Sequence, residues 1–195
     1  MRLPLNPSYF IGIDPSLTGT GVVVLSSDLS VLFQECYESP SHLSDLKRVK
    51  WLANAILRDL EPYYTHFDTL AAVEGYSMGS ANQGKMYARA ELSGIIRWNL
   101  IECYHVPYLL ISPAAVKSLV GVASSKKSRV HKDAKLETAR CALERWDISF
   151  NDDNVLDGYI LARYAVTCCQ PNDIKHKVQL ELPDNYLTRL RAAGR

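Results

Sequence analysis

Four acids and one amide stand where they could do metal chemistry. Asp14 closes an apolar run, Tyr9 to Ile13, and Pro15 follows it. Glu74 closes a second, largely apolar run, Asp68 to Val73. Asp153 and Asp157 are spaced i and i+4, and Asn154 lies three before Asp157, so the three nearly share one helix face. An unpaired carboxylate at the end of a buried strand is costly. For Asp14 alone, a bound cation, a helix N-terminus or a lysine would each serve as partner. Glu74 and Asp157 together shift the balance to a cation. Carboxylates gathered at one spot repel each other and protonate unless a counter-charge relieves them. A set of oxygen donors suits Mg²⁺ or Mn²⁺. Two such ions about 4 Å apart can stabilise both oxygens exchanged in phosphodiester cleavage. Asp152 and Asp153 also sit where helix-capping acids belong, and capping alone accounts for them. It does not account for Asp157, which lies past the first turn of a largely apolar helix.

The elements that must position these groups follow from periodicity and breakers. Residues 9 to 25 read as two antiparallel strands joined by the small polar turn Ser16 to Gly21. Pro15 restricts Asp14 to extended geometry. A third strand spans 29 to 37, and a helix follows with apolar positions from Leu43 and Leu46 through Leu60, ended by Pro62. Residues 68 to 73 form a strand buried on both faces. Ser80 and Gln83 have capping-box spacing and open a helix through Trp98. Pro107 to Ile111 is a strand, and Ser112-Pro113 opens a short helix over Val116 to Val120. Gly121 to Ser125 breaks it, a basic helix covers about 128 to 146, and a last helix opens at Asn151 and runs through Ala165. A meander followed by alternating helices and strands predicts an α/β fold, a mixed five-stranded sheet flanked by helices. In it the first and fourth strands lie side by side, and Asp14 and Glu74 share one end of the sheet.

At 195 residues the chain is long enough for one domain with a sizeable core. Its 47% hydrophobic and 22% charged residues are ordinary for a globular protein. No apolar run is long enough for a membrane span, and the N-terminus has no signal-peptide core. Five cysteines without a C-x-x-C pair argue against a disulfide framework or zinc site and for a reducing cytoplasm. Between Lys117 and Arg145 eight basic residues stand against three acidic ones, a patch that could meet a polyanion, although for a charge run alone a solvated helix face is the favoured reading. Residues 171 to 195 read as a tail of unknown role.

The run Phe10-Ile11-Gly12-Ile13-Asp14-Pro15, with Thr18-Gly19-Thr20-Gly21 after it, resembles the first strand of RuvC-type Holliday-junction resolvases. Ala71-Ala72-Val73-Glu74 resembles their second acidic strand. Val116-Lys117, Gly121 and Lys127-Ser128 are similar to their basic segment, and Asp153-Asn154-Val155-Leu156-Asp157 to their last motif. The resemblance covers about residues 8 to 168. It implies an RNase H-like nuclease domain over 1–170 and the activity of a crossover junction endodeoxyribonuclease. Such an enzyme is a homodimer on four-way or branched DNA and uses two Mg²⁺ or Mn²⁺ ions, with no membrane and no small-molecule cofactor. Asp14, Glu74 and Asp157 carry over as metal ligands. The family's remaining acid falls on Asn154, and either Asp153 or Asn154 would be the fourth ligand. Lys117 and Lys127 would contact phosphates, with Lys85, Lys126 and Arg129 as further DNA contacts. The family's aromatic position falls on Ser77, leaving Tyr76 or Met78 as the wedge at the junction centre. The form resembles divergent, phage-type members, which would work in a host cytoplasm. Two alternatives stay open: another RNase H-like nuclease on branched DNA or RNA–DNA hybrid, and a junction-binding module without catalysis. Actin-like ATPases share the opening motif but need two such domains.

Overall fold

A computed structural model of the chain describes residues 7–64, 68–76, 83–122, 131–169 and 179–181. The expected strands are present as β1 (Tyr9–Asp14), β2 (Thr20–Ser26), β3 (Val31–Tyr37), β4 (Thr69–Glu74) and β5 (Tyr108–Ile111). A short β6 (Gln179–Glu181), beyond residue 170, pairs antiparallel with β5. The sheet order is β3-β2-β1-β4-β5-β6. The β1–β2 and β2–β3 pairs are antiparallel, and β1–β4 and β4–β5 are parallel. The mixed sheet is thus a meander joined to crossovers, as the element order requires. The described α-helices are α1 (Asp45–Asp59), α2 (Gln83–Trp98), α3 (Pro113–Val120), α4 (His131–Trp146) and α5 (Asp153–Cys169).

Helices cover both faces, which is why the central strands are continuously apolar rather than alternating. Strand alternation still sorts the side chains. Phe10, Val23, Leu25, Leu70, Ala72, Leu109 and Ile111 pack with α3, α4 and α5. Ile11, Ile13, Val22, Val24, Ala71 and Val73 pack with α1 and α2. Asp14 and Glu74 continue the first set, so both point toward the α5 layer. In α1 the buried stripe begins at Val49, whereas Leu46, expected on that face, is 65% exposed.

Local chemistry fixes the helix starts near the sheet end. The Ser112 hydroxyl accepts from the Ala115 N–H at 3.3 Å, Pro113 sits in the first turn, and Gly121 closes α3 at φ 91°. Asp152 caps α5, accepting from the N–H groups of Asn154 at 2.7 Å and Val155 at 3.1 Å. Two glycines then decide how closely α5 approaches the sheet. A Cβ on Gly12 would stand 1.9 Å from the Gly158 carbonyl oxygen, and one on Gly21 only 1.7 Å from that of Asn154. No side chain fits at either place. The α5 backbone therefore lies directly on β1 and β2, and Asp157 is carried to the end of β1.

Candidate active site

Parallel pairing of β1 with β4 in the register Ile13↔Val73 sets Asp14 and Glu74 on adjacent strand ends. The next strand pairs Ile111 with Glu74, so α3 starts at the same end of the sheet and brings Lys117 with it. From above β1, α5 adds Asp153, Asn154 and Asp157. A cleft of about 910 Å³ forms there. Its lining holds all five of these acids and amide, together with Arg48, Arg89, Lys117 and Lys135. The five donors proposed from spacing are thus brought together.

Their charges interact strongly. Burial pushes the Asp14 carboxyl well above the ordinary range, the Glu74 charge adds to the rise, and Arg89 opposes it. Asp157 is pushed up to about 6, first by burial and then by Glu74, while Lys135 acts in the other direction. The counter-charge nearest the strand ends is Arg89 of α2. Its Nη2 donates to Asp14 Oδ1 at 2.6 Å and to Glu74 Oε2. Burial works against the charge on Arg89, but the two carboxylates outweigh it and raise its pKa. Among the described residues, no group of three or more His, Cys, Asp and Glu side chains is arranged to hold a metal ion as it stands. The chemistry of the donor set nonetheless fits one. The candidate ligands lining the cleft are carboxylates with a single amide, two acids are pushed toward protonation, and a guanidinium already supplies positive charge between Asp14 and Glu74.

The surroundings hold this arrangement still. Thr20 is fully buried; its hydroxyl donates to the Ser16 carbonyl at 2.6 Å and accepts from the Ser16 N–H at 3.1 Å. Arg48 Nη2 donates to the Leu17 carbonyl at 2.6 Å, tying the turn after Asp14 to α1. Asp153 is paired with Lys135 at 3.1 Å and its side chain is 53% exposed. Asn154 donates from Nδ2 toward Cys36 Sγ at 3.5 Å. Tyr76, a candidate wedge, lies against α2: its hydroxyl donates to the Ala90 carbonyl at 3.3 Å and accepts from Arg97 at 3.0 Å. Met78, Lys126, Lys127 and Arg129 fall outside the described residues, as does the side chain of Lys85. Sequence reasoning missed Arg89, Arg48 and Lys135 as members of the site. Lys135 was visible only as one charge among many in the basic segment. Arg89 stands between two alanines, Ala88 and Ala90, with no motif around it.

The strand order, the two helical layers and the acid-lined sheet end define an α/β fold of the RNase H-like type. No protein-family model matches the sequence, and no curated protein matches it. Solved structures do. RuvC from T. thermophilus in complex with a Holliday-junction substrate is 18% identical, over 82% of this chain and 90% of that one, with a TM-score of 0.62. A second Thermus thermophilus RuvC structure is 19% identical, over 82% and 92%, with a TM-score of 0.59. The fold is therefore that of these RuvC structures.

Proposed function

We propose that this chain is a divalent-metal-dependent endonuclease that resolves four-way DNA junctions by paired nicks. One observation carries the reading: Asp14, Glu74 and Asp157 converge in a cleft bordered by Arg48, Lys117 and Lys135, on a RuvC-like fold. Asp14, Glu74, Asp157 and either Asp153 or Asn154 would hold Mg²⁺ or Mn²⁺, two ions per site. When bound, such ions would supply activation of water and stabilisation of the leaving oxygen in phosphodiester hydrolysis. Water's oxygen bonds to phosphorus, the bond from phosphorus to the 3′ oxygen breaks, and the products are a 5′-phosphate and a 3′-hydroxyl. The chain's own share is positional. Strand ends fix Asp14 and Glu74, and glycine contacts fix α5 and Asp157 above them. Lys117 and Lys135 bind backbone phosphates from α3 and α4, and Arg48 does so from α1. Lys127, Lys126, Arg129 and Lys85 extend this basic surface, with Tyr76 or Met78 at the junction centre.

Residues 1–170 act as the nuclease domain in this reading, and 171–195 as an appended tail that lends β6 to the sheet. Two copies are needed for paired nicks. Exposed Tyr87 and Trp98 on one face of α2 offer a surface for the second copy. All five cysteines are unpaired, which suits the cytoplasm of a host cell for a divergent phage-type member. No described helix is long and apolar enough to cross a membrane.

The test compares a four-way junction, plain duplex and RNA–DNA hybrid in Mg²⁺ and Mn²⁺, with wild type, Asp14→Asn and Asp157→Asn. Symmetric nicks in the junction alone, lost in both variants, support the proposal. Preferred cleavage of the hybrid transfers it to another RNase H-like nuclease. Asn154, at the family's acid position, favours a second reading, a junction-binding protein without cleavage. Binding without nicks in either metal is its signature.

A further inference from the structure

Asp14 and Glu74 leave a gap that a positive charge must fill, and a side chain fills it. Guanidinium groups commonly grip one carboxylate through two parallel hydrogen bonds. Arg89 does otherwise. Its Nη2 reaches carboxylates on two strands, as an ion would, while its Nε is buried with no hydrogen-bond partner among the described residues. The arrangement satisfies the acids more than the arginine. Arg89 also comes from α2, in the layer opposite the α5 that carries Asp157. It belongs to neither of the elements that supply the ligands it joins.

We propose that Arg89 is an internal occupant of the cation site, and that its guanidinium and a divalent ion exclude each other between Asp14 and Glu74. This rests on reading those two acids as cation ligands. A guanidinium and a divalent ion that compete for the same two carboxylate oxygens repel each other, and the repulsion is little screened in a partly buried cleft. In the absence of metal, Arg89 bridges the two strand-end acids and holds them in place. An incoming ion must release it, so the apparent affinity falls by the fraction of time Arg89 is withdrawn. The released side chain remains part of the cleft lining and becomes a cation facing the phosphates of bound DNA.

The experiment measures Mn²⁺ binding by electron paramagnetic resonance, and melting temperature against Mn²⁺ concentration, without DNA. Wild type is compared with Arg89→Gln, Arg89→Lys, Lys135→Gln and Glu74→Gln. Arg89→Gln should bind Mn²⁺ roughly tenfold more tightly. It should melt lower without metal and show a larger rise in melting temperature with it. Arg89→Lys keeps the charge on a flexible stem and should gain about threefold. It carries the test by the same criterion if Arg89→Gln does not fold. Lys135→Gln removes a cation from the same cleft but not from the gap, and should change the affinity less. Equal or weaker Mn²⁺ binding in the Arg89 variants, with binding lost in Glu74→Gln, overturns the proposal. So does a gain in Lys135→Gln as large as that in Arg89→Gln, because general charge would then set the affinity. Mn²⁺ binding untouched by Glu74→Gln overturns the cation-site reading itself.

Discussion

Removing the charge of Asp157 should stabilise the metal-free protein while abolishing the proposed junction cleavage. The carboxyl is pushed from the usual 3.8 to about 6 by burial and by Glu74, so the folded state holds the proton more tightly than the unfolded one. Stability linked to this group is fully present below the unfolded pKa and is lost as pH rises through the folded value. At pH 7.5 the ionised form costs about 3 kcal/mol by that difference. The side chain is partly exposed, and solvent screening brings the expected gain for Asp157→Asn to about 2 kcal/mol. In a chain of this size that is a rise in melting temperature of about 4–8 °C. The assay is thermal unfolding in EDTA at pH 7.5 and pH 5. At pH 5 most folded molecules already carry the proton, so the advantage of Asp157→Asn should fall to roughly half. Saturating Mg²⁺ should reverse the order, because only wild type keeps the full ligand set. An Asp157→Asn protein no more stable than wild type in EDTA at pH 7.5 would refute the argument. So would an advantage that stays constant down to pH 5.

Gly21→Ala should lower stability by about 3 kcal/mol, since its Cβ would meet the Asn154 carbonyl at 1.7 Å and α5 must shift. Denaturant unfolding and junction cleavage should fall together, because the same shift moves Asp157 away from Asp14. Lys117→Gln should weaken binding to junction and duplex alike and reduce the slope of log affinity against log salt by about 1. A loss confined to the junction, at unchanged slope, would remove Lys117 from the phosphate contacts. Arg48→Ala should loosen the turn after Asp14, read as faster amide exchange over residues 16–18.

Much of the scaffold is legible in the sequence because each decisive signal is local. Pro15 after an apolar strand fixes Asp14 as a strand-end acid, and the Ser112-Pro113 start and Gly121 stop of α3 are read residue by residue. The adjacency of Asp14 and Glu74 follows from element order alone, since a meander followed by a crossover puts the fourth strand beside the first. What stays hidden is long-range. Arg89 reaches the acids from 75 residues beyond Asp14, from a helix on the other face of the sheet, and nothing next to it in the chain marks it. The closeness of α5 to the sheet depends on Gly12 and Gly21 meeting backbone from a distant helix. In the sequence both glycines look like ordinary turn and strand residues. Leu46 fits the helical period but falls outside the buried stripe, because periodicity gives a face and not the point where the neighbouring layer begins.

The acids report the chemistry and not the substrate, so in the proposed function selectivity for a junction would come from how two sites are held together. On α2, Tyr87 and Trp98 are 63% and 61% exposed. A Cβ on Gly94 would meet nothing within 4 Å, and Glu91 is exposed beside it. These four share one face, with Tyr87 and Trp98 about 16 Å apart along the axis. They are also self-complementary. About a midpoint between Leu92 and Ser93, Tyr87 mirrors Trp98 and Glu91 mirrors Gly94, so two antiparallel copies of α2 would set each aromatic against its counterpart and a glutamate over a glycine. That is the reciprocity a two-fold interface demands. Trp98→Glu places like charges at both ends of such a contact and should give a monomer by light scattering. The monomer keeps its acids and should still nick branched DNA in Mg²⁺, but at one strand per encounter, so nicked intermediate accumulates in place of paired products. A Trp98→Glu protein that remains dimeric and cuts in pairs would show that the second copy sits elsewhere.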